Sequence, residues 1–174
     1  YQRKFESRSI SRREFWIARF ARVYPLHIAT LMLYPLVGGA LLAMNWDTVL
    51  KLVSQLFLVH PFIPQTDYFF AFNSPSWSLG CEQLFYFLFP FLALWLSDTR
   101  KLFWILIATG LMVAFGMYFT PEEQIRAYWY VNPLTRLPDF LVGMLLFKLY
   151  DKSAGNWSVN RATWFEIGAV ALFI

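Results

Sequence analysis

The stretch Trp77–Ser97, WSLGCEQLFYFLFPFLALWLS, decides the fold. It is apolar along nearly its whole length, and it matches the ~20 residues that an α-helix needs to cross the hydrocarbon core of a bilayer. The apolar residues are continuous and do not alternate with polar ones, so we predict a transmembrane helix and not a barrel strand. Its one charged residue is Glu82, which lies in the first half of the segment and needs an explanation.

The composition of the chain agrees with a membrane location. Of the 174 residues, 58% are hydrophobic and 15% are charged, whereas about 25% are charged in a typical soluble domain. We therefore predict an all-α fold, a polytopic transmembrane helix bundle with about five membrane helices. Besides Trp77–Ser97, the predicted spans are Tyr24–Met44, Leu102–Thr120, Asn132–Tyr150 and the partial run Trp164–Ile174.

The segment Asp47–Ile63 is shorter, and it contains Lys51. Lys and Arg are biased to the cytoplasmic side of a membrane protein, which allows the two possible topologies to be compared. If this segment does not span, 12 of the 15 Lys and Arg residues fall in the start of the chain, the Ser97–Lys101 turn and the Lys148–Arg161 connection, all on one side. We therefore predict a re-entrant or interfacial helix on the far side, with the residues before Arg22 cytoplasmic.

The chain begins with a basic stretch, residues 1–22, which holds seven basic and two acidic residues. It can be a topology signal attracted to anionic lipid, or a binding site for a phosphorylated cytoplasmic molecule. Nucleic acid is not expected as a partner, because the rest of the chain is not basic. Arg19 and Arg22 are three residues apart and share a helical face, among the aromatic Phe15, Trp16 and Phe20. Pro25 is predicted in the first turn of the next helix or at a kink.

Glu82 has two interpretations. A charged residue near the centre of a membrane helix costs roughly 2.5–3.5 kcal/mol, so it needs a partner, a wet cavity or a proton. A protonated Glu82 could hydrogen-bond a neighbouring helix and aid packing only. The alternative, which we favour, is a carboxylate that faces an internal polar cavity. Ser78 and Phe85 lie on the same face of the helix, four residues before and three after it.

A second charged pair interrupts a later apolar run. Arg136 and Asp139 are three apart and can form an ion pair on one helical face, either as a structural pair at the interface or as part of a shared cavity. With one cysteine and two histidines in the chain, a metal site is not expected. His27 is predicted to be an interfacial histidine, and His60 is the better candidate for a catalytic role on the outside.

Three motifs in order give the chain a resemblance to a known family. They are FWIARFARVYPLHIATL from Phe15, NSPSWSLGCEQLFYFLFPFL from Asn73 and NPLTRLPDFLVGMLL from Asn132. The set resembles the acyltransferase-3 family of bacterial multi-pass membrane enzymes, which transfer acyl groups to saccharides such as O-antigen and exopolysaccharide. The central motif is the most specific; its members here are Trp77, Ser78, Leu79, Glu82, Phe85, Tyr86 and Pro90. In the third motif, Asp139 stands where the family usually has glutamate.

The resemblance implies a mechanism and a set of roles. Acyl-coenzyme A is the expected donor, bound by Arg19 and Arg22, with no permanently bound cofactor and no metal. Glu82 is the expected catalytic residue. The substrate or cavity residues are expected to be Asn73, Trp77, Ser78, Arg136 and Asp139.

The resemblance also implies a location and a domain context. The protein is expected in the inner (plasma) membrane, where it would move an acetyl or succinyl group to a saccharide hydroxyl. The family's base histidine is expected upstream of Tyr1, so residues 1–174 would be the central part of one acyltransferase domain, with its first and last helices missing. Two other classes remain open on the residues: a polytopic transporter for an anionic or lipid-linked substrate, and a non-catalytic scaffold.

Overall fold

A computed structural model describes residues 5, 7, 9–38, 45–96 and 98–153, without the side chains of 35–38 and 153. Within these residues all regular secondary structure is helical, which confirms the predicted all-α class. The predicted partial span Trp164–Ile174 and the end of the predicted span Tyr24–Met44 lie outside the described residues.

Seven α-helices occur in the described residues, joined by short helical turns. They are α1 (Arg12–Gly38), α2 (Trp46–Leu56), α3 (Thr66–Phe69), α4 (Trp77–Trp95), α5 (Thr99–Phe119), α6 (Glu122–Ile125) and α7 (Leu137–Ser153). Two 3-10 turns, His60–Phe62 and Ser74–Ser76, precede α4, and a π-helical segment, Arg126–Val131, follows α6.

Helix α1 begins earlier than the sequence suggested. Ser11 starts it: its hydroxyl accepts a hydrogen bond from the Glu14 backbone N–H at 3.2 Å, and the Glu14 carboxylate accepts one from the Ser11 N–H at 2.8 Å. This reciprocal pair is a capping box, which satisfies two backbone donors at the helix start. The helix then runs without interruption through Pro25. The prediction that Pro25 lies in a first turn is therefore wrong, and the end of the basic stretch belongs to the helix that carries the apolar run.

Helix α4 lies at the centre of the arrangement. It packs against α1 on one side and α7 on the other, and α5 packs against α7. At one end of the bundle, a buried apolar cluster joins the start of α1, the end of α4, the start of α5 and the middle of α7; its members include Phe15, Ala93, Leu96, Leu102, Leu141 and Met144. Because the start of α1 meets the end of α4, these two helices are antiparallel.

Two helical stretches in the described residues are long and apolar enough to cross a membrane. They are Ser74–Trp95, with a mean hydropathy of 1.2, and Thr99–Phe119, with a mean hydropathy of 2.0. They match the predicted spans Trp77–Ser97 and Leu102–Thr120. Helices α1 and α7 occupy two other predicted spans, and the number of spans beyond two stays a prediction.

The segment Asp47–Ile63 forms a short helix and a turn. Helix α2 has 11 residues, about 16 Å of rise, which is about half the length that spans a bilayer. The turn packs on the start of α4 at Gly80, where an added Cβ atom would lie 2.6 Å from Pro61 Cγ and 2.8 Å from the Leu58 carbonyl oxygen. Glycine is required here because the turn and the helix approach too closely for a side chain.

Candidate active site

A cavity of about 180 Å³ lies between α1 and α4 and contains Arg19. The Arg19 guanidinium carbon lies 5.2 Å from the centre of the Tyr86 ring and 5.4 Å from that of Phe15, within the range of a cation–π contact. Trp16 fixes the two helices at this point, because its indole Nε1 donates to the Tyr86 carbonyl at 3.1 Å. The cationic end of the cavity is therefore built on two rigid helices and not on a loop.

Glu82 is linked to this cavity through Tyr86. The Tyr86 hydroxyl donates to Glu82 Oε2 at 2.9 Å, and the two residues are one helical turn apart on α4. Glu82 is half-buried, and the hydrogen bond from Tyr86 gives its carboxylate a partner within α4. A continuous path thus runs from the Arg19 guanidinium to the Tyr86 ring and from the Tyr86 hydroxyl to the Glu82 carboxylate. The sequence contained the signal for this pair, an i and i+4 spacing, but we had not assigned Tyr86 as the partner.

The two predicted donor-binding arginines differ in their surroundings. Arg19 is partly buried in the cavity wall, whereas Arg22 is exposed and is not one of the residues that line this cavity. Phe20 and Tyr24, on the same helix, stack at 4.3 Å between ring centres and continue the wall. The structure therefore brings Arg19, but not Arg22, next to Tyr86 and Glu82.

Arg136 and Asp139 form the predicted pair, with Arg136 Nη1 at 2.9 Å from Asp139 Oδ2. Arg136 Nε also donates to the Tyr130 carbonyl at 2.9 Å, and the Thr135 hydroxyl donates to the Tyr128 carbonyl at 2.8 Å. These side chains satisfy carbonyl groups at the end of the π-helical segment, which lack partners within it. The pair lines a separate cavity of about 330 Å³.

Three of the predicted substrate or cavity residues, Asn73, Trp77 and Ser78, do not line the Arg19 cavity. Asn73 Nδ2 donates to Thr30 Oγ1 at 3.3 Å and lines a different cavity of about 410 Å³ with the aromatic side chains of Tyr34 and Phe72. The Trp77 ring packs on Tyr130, with ring centres 5.1 Å apart. The Ser78 hydroxyl donates to the carbonyl of Pro75, in the 3-10 turn that precedes α4, at 2.9 Å.

A buried polar cluster, consisting of His27, Gln55, His60 and Ser76, lies next to the start of α4. Each of the four is at most 1% exposed. Ser76 Oγ lies 2.7 Å from Gln55 Oε1 and 3.2 Å from His60 Nε2, and His27 Nε2 lies 2.9 Å from the Gln55 carbonyl oxygen. The cluster joins α1, α2 and both 3-10 turns, so it fixes the turn that carries Leu58 and Pro61 against the two long helices.

The cluster gives the surroundings of both histidines. His27, which was predicted to be an interfacial histidine, is buried in the protein, because α2 and its turn cover that face of α1, and its depth in the membrane stays a prediction. His60 is also buried, in contact with Ser76. Gln55 was not singled out from the sequence, although it is a polar residue on the apolar side of a short helix. Its partners come from segments 13 to 28 residues away along the chain, which no local pattern reveals.

The candidate site consists of a cationic and aromatic cavity with a carboxylate beside it. The part of the chain that the structure describes holds no group of three or more His, Cys, Asp or Glu side chains that could bind a metal ion.

Comparison with known proteins indicates the family of this chain. The family model described as an acyltransferase domain matches residues 6–174. The chain is 30% identical to the acyltransferase MdmB of Streptomyces mycarofaciens over 76% of this chain and 38% of MdmB. It is 29% identical to a Staphylococcus aureus protein named "Putative O-acetyltransferase", over 81% of this chain and 26% of that protein.

A third relative is an uncharacterized protein of Haemophilus influenzae, 26% identical over 82% of this chain and 65% of that protein. The chain thus spans about a quarter to two thirds of the length of these relatives. No solved structure matches it. The match of the family model over nearly the whole chain shows that this protein belongs to the acyltransferase-3 family.

Proposed function

We propose that the protein containing this chain is a membrane O-acyltransferase that moves an acyl group from acyl-coenzyme A to a hydroxyl of a cell-surface or exported saccharide. The observation that carries the proposal is the path from Arg19 in the cavity wall through Tyr86 to Glu82, which lies beside the cavity. Family membership and the acyltransferase and O-acetyltransferase names of the relatives support the reaction class. The inner (plasma) membrane is the proposed location.

The donor end is proposed at Arg19. A guanidinium is always charged and presents several donors that fit phosphate oxygens. The exposed Arg22 and the basic residues before it extend the positive charge away from the cavity, where the phosphates of coenzyme A can be bound. The Arg19 guanidinium lies next to both the Phe15 and Tyr86 rings, and these cation–π contacts stabilise its position in the cavity wall.

The reaction needs a base, a nucleophile and a leaving group. In the proposed reaction a saccharide hydroxyl loses its proton to a general base and its oxygen attacks the thioester carbonyl carbon. The tetrahedral adduct collapses, the carbon–sulfur bond breaks, and the coenzyme A thiolate takes up a proton. The family implies a histidine outside this chain as the base. Glu82 would orient that histidine or accept a hydrogen bond from the acceptor, with Tyr86 holding its carboxylate.

The acceptor is proposed to enter from the opposite end of α4. Asn73 lines a cavity there together with Tyr34 and Phe72, and an amide group next to aromatic faces suits a sugar. Trp77 packs nearby, at the start of α4.

The first test uses the full-length protein in membrane vesicles with radiolabelled acetyl- and succinyl-coenzyme A. We expect alkali-labile label on a saccharide fraction. If intact protein transfers neither acyl group, the proposal is wrong, and a transporter or a scaffold with the same fold becomes the better explanation.

A second test measures donor binding. We expect Arg19→Ala to weaken acetyl-coenzyme A binding by about tenfold or more, since charged hydrogen bonds of this kind are worth about 1.5–3 kcal/mol. The loss should shrink at high salt. Arg126→Ala, which changes an exposed arginine of the π-helical segment, is the control and should bind normally. Equal binding by both variants at low salt would remove Arg19 from the donor site.

A further inference from the structure

The Arg19 cavity has two chemically different ends. One end holds Arg19 and Tyr86, where Trp16 ties α1 to α4. The other end is tied by Tyr24, whose hydroxyl donates to the Leu56 carbonyl at 2.8 Å. Between these two ties the wall contains the aliphatic side chains of Val23, Leu58 and Leu79 and one neutral amide, that of Gln83.

Leu58 differs from the other residues that line the cavity. Among the described residues of the wall, it alone comes from neither α1 nor α4 but from the turn after α2. Its φ is 56°, a left-handed conformation that is uncommon for a residue with a side chain. Two backbone hydrogen bonds close this turn, from Leu58 N–H to the Gln55 carbonyl at 3.0 Å and from Val59 N–H to the Ser54 carbonyl at 2.9 Å.

The turn cannot move away from the cavity. Its outer side packs directly on α4, because the Leu58 carbonyl and the Pro61 ring occupy the space that a side chain at position 80 would need. The buried polar cluster holds the same turn from the other side, through Gln55 and His60. The Leu58 side chain, which is 3% exposed, is therefore a fixed wall. A left-handed leucine is expected to persist only where the surroundings determine it.

The size of the cavity limits what can fill it. An engineered cavity of about 150 Å³ lined by aliphatic and aromatic side chains binds benzene, and this one has about 180 Å³ and mostly apolar walls. The cavity is partly open, and the volume of its interior corresponds to a group of roughly six heavy atoms, far less than coenzyme A. An anionic group at the Leu58 end would lose hydration without a cationic partner, because the wall there consists of Val23, Leu58, Leu79 and the neutral Gln83, and this is unfavourable.

We propose that Leu58 is the floor of an acyl-chain subsite, which restricts the donor to short, uncharged acyl groups. The inference rests on the proposed function. The thioester lies at the Arg19 and Tyr86 end, the chain points along α4 toward Leu58, and Leu79 forms the facing wall. Acetyl and butyryl groups fit, octanoyl groups are too long, and a succinyl group is disfavoured by its terminal carboxylate.

The test is a chain-length series in vesicles with the full-length protein and acetyl-, butyryl-, hexanoyl-, octanoyl- and succinyl-coenzyme A. We expect Leu58→Ala to raise the ratio of kcat/KM for hexanoyl over acetyl donor by at least tenfold. Leu79→Phe narrows the cavity from the opposite wall and should lower the butyryl-to-acetyl ratio. Because the two variants have opposite expected effects, failure of one to fold leaves the other as a test.

The control is Leu31→Ala, which truncates a leucine of α1 that is 2% exposed and does not line the cavity. It should reduce stability without changing the chain-length profile. If the wild type, Leu58→Ala and Leu79→Phe all transfer acyl groups with the same chain-length profile, the proposed subsite is wrong and the proposed function still stands. Preference of the wild type for succinyl donor would also overturn it. Absence of transfer from every donor would instead contradict the proposed function.

Discussion

Two regions of the molecule carry charged residues in apolar segments, one at Glu82 on α4 and one at Arg136 and Asp139 at the start of α7. The sequence marked both in the same way. In the structure, Glu82 is half-buried and bonded to Tyr86 beside the Arg19 cavity. The other pair bonds mainly within its own region: to itself and to a carbonyl of the preceding π-helical segment.

The difference shows that a buried charge should be judged by how fully the surrounding groups pair it. Arg136 and Asp139 also line a cavity, but they pair with each other and Arg136 pairs with the backbone, so the fold accounts for their charges. Glu82 has one side-chain partner, and that partner faces a cavity that also contains a cation. A charge that the fold does not fully use is the better candidate for chemistry. The following predictions test this contrast, from the largest expected effect to the smallest.

The strongest test compares Glu82→Gln with Asp139→Asn in the vesicle transfer assay. Loss of a group that assists proton transfer reduces rates by roughly 10²–10⁴-fold, and we expect at least a 100-fold loss for Glu82→Gln. Asp139 is 66% exposed at its side chain, and exposed ion pairs are worth about 0–1 kcal/mol. Asp139→Asn should therefore change transfer by less than about fivefold. Equal losses in the two variants would end the distinction between the two regions.

The second prediction concerns the buried polar cluster that holds the cavity floor. Burial lowers the pKa of His60 from its ordinary 6.5 to about 4, and the neighbouring His27 acts in the same direction. His60 lies outside the two spanning helices. The folded state favours the neutral ring. The contribution of His60 to the free energy of unfolding is therefore fully present above about pH 6.5 and is lost as the pH falls toward 4, a decrease of up to roughly 3 kcal/mol.

The measurement is thermal unfolding of the full-length protein in detergent between pH 8 and pH 4.5. His60→Gln keeps a polar side chain beside Ser76 but cannot titrate. Its unfolding temperature should depend less steeply on pH than that of the wild type below pH 6.5. Identical pH profiles would show that His60 does not take up a proton when the cluster opens.

The third prediction concerns the close approach that supports the Arg19 side of the molecule. Gly80→Ala places a Cβ atom against Pro61 and the Leu58 carbonyl, and overpacking of this kind costs about 1–3 kcal/mol. Gly110→Ala on α5 meets no atom within 4 Å and should leave stability unchanged or slightly higher. Thermal unfolding of both variants gives the comparison. A stable Gly80→Ala variant would mean that the turn can retreat, which weakens the case for Leu58 as a fixed wall.

The sequence predicted the elements of the site better than their contacts. Spans such as Trp77–Ser97 follow from composition, because continuous apolar length is a local property. The partnership of Arg19 with Tyr86 depends on the register of α1 against α4. That register is set by contacts such as the hydrogen bond from Trp16 to Tyr86, two residues 70 positions apart in the chain. The buried cluster around Gln55 depends on how the turn after α2 folds back. No spacing within one segment encodes either arrangement.

The smallest expected effect separates two tyrosines, one in each region. Tyr86→Phe keeps the ring under Arg19 and removes only the hydroxyl that donates to Glu82, so transfer should fall about tenfold, the equivalent of one hydrogen bond to a charged group. Tyr130→Phe keeps the ring that contacts Trp77 and Arg136, and transfer should stay within about twofold of the wild type, as for a surface substitution.

A double-mutant comparison tests whether the Tyr86 hydroxyl acts through Glu82. If Tyr86→Phe costs about tenfold in the wild type but nothing in a Glu82→Gln background, the hydroxyl acts through the carboxylate, because the effects of coupled residues are not additive. Equal effects in both backgrounds would place Tyr86 in contact with substrate independently of Glu82.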